Sequence, residues 1–173
     1  MSEGPKFREI NPHDLTENAI SLIGKEWMLI TAGKLDHFNM MTASWGTLGY
    51  LWNRPVAFAF VRPQRYTFGL MEQSSYFSLT FFDEEHRDVL DYCGSHSGRD
   101  VDKVAKTGLT PMVGESGAVY FDEARLVMEC RKIYAQDITE ANFLEATIIA
   151  QHYQKRDFHR LYVGEITRVL TRD

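Results

Sequence analysis

Apolar residues fall along this chain in short runs rather than in one long periodic stretch. Val56–Val61 (VAFAFV) is the clearest, six residues of the length and composition of a buried strand. Trp27–Ala32 (WMLITA) and Tyr76–Phe82 (YFSLTFF) read the same way. Ala118–Tyr134 supplies one or two strands, and within it Leu126, Met128 and Cys130 alternate with Val127, Glu129 and Arg131, a period of two. Trp45–Trp52 mixes aromatics with Gly46 and Gly49, a strand with points of close backbone approach. Phe158–Leu170, bearing Gly164, is the final strand. Helical signals are shorter. Asn11-Pro12 starts a helix, and Leu15, Ala19, Leu22 and Ile23 recur at helical spacing until Gly24 ends it, so residues 1–24 form an N-terminal helical segment. Tyr66–Glu72, Glu84–Tyr92 and Val101–Lys106, the last ended by Gly108, are further short helices. Asp36–Asn39 and Gly94–Gly98 read as turns.

Many strands with few short helices, and no alternation of strand with long helix, exclude a doubly wound parallel sheet. A mainly β fold is expected: a closed or partly closed antiparallel barrel with helices at its rim. No linker, repeat or low-complexity stretch interrupts the 173 residues, so one domain is expected over 1–173. A formal charge of −5 argues against a broad nucleic-acid surface, which needs a clustered basic face, and leaves room for one local pocket for a small anion. The aromatic share of 13% suits a β-rich core or a site for a flat ring. Cys93 and Cys130 have no CxxC spacing, so two reduced thiols are expected. Without a signal-peptide pattern at Met1–Lys6, or an apolar run near the roughly 20 residues of a membrane helix, the expected location is cytoplasmic.

Four stretches offer chemistry. In Asn39–Gly46 (NMMTASWG), small and hydroxyl residues precede a strand, which suits either a plain polar turn or close approach of backbone N–H groups to a ligand. In Val61–Thr67 (VRPQRYT), Arg62 and Arg65 flank Pro63 and Gln64 where the most buried strand ends. Arginine forks match phosphate oxygens, and Tyr66 and Thr67 add hydroxyls; the alternative is a solvated turn with surface ion pairs. In Cys93–Lys103 (CGSHSGRDVDK), Ser97 and Gly98 precede a short helix whose N-terminus favours an anion, with Arg99 and Lys103 one turn apart. Asp100 and Asp102 equally fit an ordinary cap. Cys93 and His96 lack a second ligand pair, so no metal site is expected. In Asp157–Ile166 (DFHRLYVGEI), His159 at a strand start is either a cleft residue or a satisfied structural one. GxGxxG, P-loop and GxSxG motifs are absent.

Taken in order, NMMTASWG, FVRPQRYT, CGSHSGRDVDK and FHRLYVGEI resemble the flavin reductase-like family, from about Trp27 to Leu170. The resemblance implies an antiparallel split β-barrel of Greek-key type with peripheral helices, an FMN cofactor and a homodimer with flavin near the subunit interface. By the same resemblance Thr42, Ala43, Ser44 and Trp45 line the isoalloxazine ring. Arg62, Arg65, Tyr66 and Thr67 hold ribityl and phosphate groups, and Ser97, Arg99 and Lys103 complete the phosphate end. His159 sits near the ring, where NADH or NADPH stacks as a transient donor. Typical members carry Ser or Thr where this chain has Trp45, a departure that points toward retained FMN and an electron relay, as in flavoredoxin-like members. The implied function is a flavin-dependent oxidoreductase. A non-catalytic FMN or haem carrier on the same barrel and an interaction domain with a vestigial pocket are the competing readings.

Overall fold

A computed structural model describes residues 7–172. Its strands are β1 (Arg8–Ile10), β2 (Met28–Lys34), β3 (His37–Ala43), β4 (Gly46–Leu51), β5 (Arg54–Val61), β6 (Tyr76–Phe81), β7 (Pro111–Val113), β8 (Val119–Phe121), β9 (Leu126–Asp137) and β10 (Arg160–Thr171). Five short α-helices join them: α1 (Ala19–Ser21), α2 (Tyr66–Gln73), α3 (Arg87–Ser95), α4 (Lys103–Thr107) and α5 (Ala146–His152). Eight strands make one antiparallel sheet in the order β3-β2-β6-β9-β10-β5-β4, with β1 also on β10, and β7 pairs with β8 apart from it. The ends of this path, β3 and β4, are consecutive in sequence. No ladder joins them among the described residues, and only Ser44 and Trp45 lie between. The sheet is therefore a barrel split between β3 and β4, as the sequence led us to expect.

The strand period sorts side chains between two cores. On β2, Met28, Ile30 and Ala32 enter one cluster with Phe77, Leu79, Phe81, Tyr162 and Ile166, while Leu29 between them enters a second with Met40, Leu90 and Phe121. β9 behaves alike: Leu126, Met128 and Cys130 join the first cluster and Val127 the second. Burial on both faces explains why these strands read as near-continuous apolar runs. Gly164 sits where β10 shifts register against β9. A Cβ there would lie 2.6 Å from Phe77 Cζ and 2.7 Å from Cys130 Cβ, so the glycine lets the Phe77 ring cross the strand. The β4–β5 hairpin turns on Trp52 and Asn53, both at positive φ (53° and 56°), the geometry that matches strand twist in a two-residue loop.

The structure corrects several expectations. Residues 11–24 are not one helix. Asn11 caps a 3-10 turn at Pro12–Asp14, its Oδ1 accepting from His13 N at 2.9 Å. Asn18 then caps the three-residue α1, and Gly24 lies inside a π turn, Leu22–Glu26, rather than ending anything. Capping side chains hold the backbone at two points and cut one periodic pattern into pieces. His37, Phe38 and Asn39 belong to β3, not to a turn, and Gly94 and Ser95 complete α3. The helix read at Val101–Lys106 begins at Lys103. Residues 1–6 of the expected N-terminal segment lie outside the described residues. Both cysteines are free and buried. No helix among the described residues is long and apolar enough to cross a membrane.

Candidate functional site

A strand at a split keeps one edge of backbone donors and acceptors free of a partner strand. Thr42 and Ala43 at the end of β3, with Ser44 and Trp45 between β3 and β4, occupy this gap and form one wall of a cleft of about 240 Å³. Three polar ties hold that wall. Thr42 Oγ1 donates to the Leu90 carbonyl of α3, Asn39 Nδ2 donates to Thr67 Oγ1 at 2.9 Å, and Lys103 Nζ donates to the carbonyls of Met40 (2.7 Å) and Cys93 (2.9 Å).

The opposite wall comes from the end of β5 and the approach to β10. Phe60, Arg62, Arg65 and His159 line it, with Gly94 closing the floor. The two arginines differ. Arg62 is committed to Asp157, Nη1 lying 2.7 Å from its carboxylate, and also donates to the His152 carbonyl at 2.9 Å. Burial alone would raise the Asp157 pKa, but hydrogen bonds from Gln64 and Arg62 outweigh it and hold the carboxyl below its ordinary value. Arg65 donates to the Gly94 carbonyl at 3.1 Å, near the C-terminal end of α3, and has no carboxylate partner among the described residues. Burial first, and the Arg62 charge second, lower its pKa. A half-buried cation answered only by a carbonyl is a natural seat for an anion.

His159 is 8% exposed, and its Nδ1 lies 2.7 Å from the Tyr153 hydroxyl. Burial, then the nearby Arg62 charge, push its pKa down to about 4, so the ring is neutral at pH 7. When the Tyr153 hydroxyl donates to Nδ1, the ring proton sits on Nε2. Trp45 leans across the mouth, 43% exposed, its ring centroid 5.3 Å from His159 and 5.1 Å from His152.

Thus Thr42, Ala43, Ser44, Trp45, Arg62, Arg65 and His159 come together in one cleft. Tyr66, Thr67, Ser97, Arg99 and Lys103 do not line it. Thr67 is buried against Asn39. Lys103, 4% exposed, is a strut between β3 and α3, with a pKa lowered to about 8 chiefly by burial. Its helix N-terminus is already capped by Asp102, whose Oδ1 accepts from Ala105 N at 3.0 Å. Arg99 is exposed, donates to the Gln64 carbonyl at 3.0 Å and lies over the Tyr66 ring, so it shares no face with Lys103. Ser97 Oγ accepts from Arg99 N within its own turn. Gly98 is explained by packing, since a Cβ there would lie 2.1 Å from Asn39 Oδ1. Sequence reasoning missed Tyr153, which fixes His159, and Phe60 and Gly94. Phe60 was hidden inside an apolar run, and Gly94 acts through a backbone carbonyl.

Known proteins share this fold. The family model for the flavin reductase like domain matches residues 20–173, and the chain belongs to that family, a family of flavin-handling oxidoreductase domains. Among solved structures it is similar to a flavoredoxin from Methanosarcina acetivorans, with 23% identity and a TM-score of 0.69 over 86% of this chain and 69% of that one. An FMN-binding protein from Thermus thermophilus with bound p-hydroxybenzaldehyde is 24% identical (TM-score 0.66, 85% of this chain, 71% of that one). An NADH:FAD oxidoreductase from Streptomyces globisporus is 17% identical (TM-score 0.64, 86% and 74%). No curated protein sequence matches the chain significantly.

Proposed function

We propose that this protein holds FMN in the cleft at the barrel split and passes electrons from NADH or NADPH to a further acceptor. The observation that carries this reading is Arg65, a half-buried guanidinium without a carboxylate partner among the described residues, in the same cleft as an edge of uncommitted backbone. The donor set fits: a phosphate answers Arg65, and the edge at Thr42–Trp45 offers N–H groups and the Ser44 hydroxyl to the polar rim of a flat ring. When bound, the flavin supplies the two-electron chemistry, and the side chains bind, orient and shield it. Thr42–Trp45 would hold the ring, Arg65 the phosphate with Arg62 beside it, and His159 would present a neutral ring whose orientation Tyr153 fixes.

A cleft of about 240 Å³ is smaller than the roughly 300–1,000 Å³ that encloses a drug-sized ligand, so part of the cofactor would project from it. That favours a homodimer in which a second copy covers the rest. The exposed Trp52 and Tyr134, whose rings meet at 5.7 Å, with the exposed Tyr50 on the same hairpin as Trp52, are the natural contact surface. Trp45 across the mouth favours a second reading, a relay that keeps its FMN and takes electrons from a protein donor rather than from a nicotinamide. Flavin titration tests the site. FMN should bind more tightly than riboflavin, and equal affinities would mean that no phosphate seat exists.

A further inference from the structure

Between β9 and β10 the chain leaves the sheet for residues 138–159, makes a 3-10 turn at Glu140–Asn142 and α5, and returns. This excursion places His159 at the cleft with Tyr153 behind it, but its apolar side chains Ile138, Phe143 and Ile148 face elsewhere. It roofs a second cavity of about 620 Å³ on the other side of Trp45, with Leu161 of β10 as its floor. Trp45 and the edge of His152 separate it from the flavin cleft.

The lining has a definite chemistry. Trp45, Phe143 and Tyr153 supply aromatic rings, the last two in edge contact at 5.8 Å, and Ile138, Ile148 and Leu161 supply aliphatic surface. The carboxylate in the lining, Asp137, is already paired with Arg160 at 2.9 Å. No lysine, arginine or glutamate lines it, and its one histidine, His152, packs edge-on against Trp45. Gln136, Thr139 and Asn142 offer uncharged hydrogen-bonding groups at the rim. The cavity is an open groove, with Trp45 and Ile148 exposed at its sides, and its volume lies within the range of small-molecule clefts. A flat ring packed among aromatic walls gains area burial and edge or stacking contacts, whereas a charged ligand would lose hydration without compensation.

We propose that this cavity is a binding site for a small neutral aromatic molecule of one or two rings bearing a hydroxyl or carbonyl group. The site is built by the 138–159 excursion and shares only Trp45 with the flavin cleft. It stands on its own lining and does not require the flavin reading, although the shared indole would place such a ligand beside a flavin held in that cleft.

Isothermal titration of the full-length protein with 2-naphthol, with and without FMN, tests this. The expected result is one site per chain that FMN does not compete for, with 2-naphthoate, its charged analogue, at least about tenfold weaker. Ile148→Asp, at the exposed rim, should weaken 2-naphthol by about tenfold or more while leaving FMN affinity and melting temperature unchanged. Phe143→Ala provides an independent check on the opposite wall. The proposal is overturned if 2-naphthol does not bind, as when a second copy fills the cavity. It is equally overturned if 2-naphthol competes with FMN, if naphthoate binds as well, or if both variants bind 2-naphthol unchanged. Should FMN fail to bind while 2-naphthol binds as described, the flavin reading falls and this one stands.

Discussion

Arg65 and Lys103 carry the same charge near the same strand, yet their partners give them different work. Arg65 meets one carbonyl and is left to answer an anion, whereas Lys103 is saturated by the carbonyls of Met40 and Cys93. Arg65→Ala should therefore weaken FMN by roughly 1.5–3 kcal/mol and leave riboflavin nearly unaffected, as read in parallel fluorescence titrations. Lys103→Met should do the reverse. It strands two buried carbonyls and costs on the order of 1–3 kcal/mol in denaturant unfolding, with FMN affinity of the folded fraction unchanged. A loss of FMN affinity without loss of stability would return Lys103 to the phosphate site. His159 makes a pH prediction. Its folded pKa of about 4 lies below the ordinary value near 6.5, so the unfolded chain takes up the proton first. The stabilisation it gives is complete above about pH 6.5 and is lost as the pH falls toward 4, on the order of 3 kcal/mol in all. His159→Gln should flatten that part of the stability profile; an unchanged profile would mean that the ring is charged when folded. At this scale the sequence was legible for residues whose chemistry is their own, such as Arg62, Arg65 and His159. It was not legible for Tyr153 or Lys103, whose roles depend on partners 6 and 63 residues away.

Elements with a strong local cause were readable. β5, α2 and β6 differ from the expected bounds by at most two residues, because apolar period and punctuation agree there. The Trp52-Asn53 turn carries little signal, since a tryptophan at positive φ is held by its hairpin and by contact with Tyr134 rather than by its own preference. The 138–159 excursion was invisible for a related reason. Its helix is seven residues long, with no fully buried residue, and takes its place from the groove it covers. β10 tests the packing account. Gly164→Ala would drive a methyl into Phe77 and Cys130, and a destabilisation of about 1–3 kcal/mol is expected in chemical unfolding. A neutral substitution would show that the Phe77 ring moves aside freely.

At the scale of the whole molecule, the split decides where function sits. A barrel closed by hydrogen bonds between β3 and β4 would have no free backbone edge, whereas this one leaves that edge facing two arginines and a neutral histidine. The barrel class followed from the run of strands, but the location of its gap did not, because strand order is fixed by pairing across the chain. The exposed Tyr50, Trp52 and Tyr134 carry a prediction of their own. In sedimentation velocity the protein should run as a dimer and Trp52→Glu as a monomer, and identical profiles would place the contact elsewhere. The central claim is that the cleft at the split holds a flavin and exchanges electrons through it. Its most direct test is the visible spectrum of the purified protein with FMN added, followed under anaerobic conditions by NADH or NADPH. Bound oxidised-flavin bands that bleach with a nicotinamide are the predicted result. Bands that persist would leave the relay reading with another donor, and failure to bind FMN at all would contradict the account.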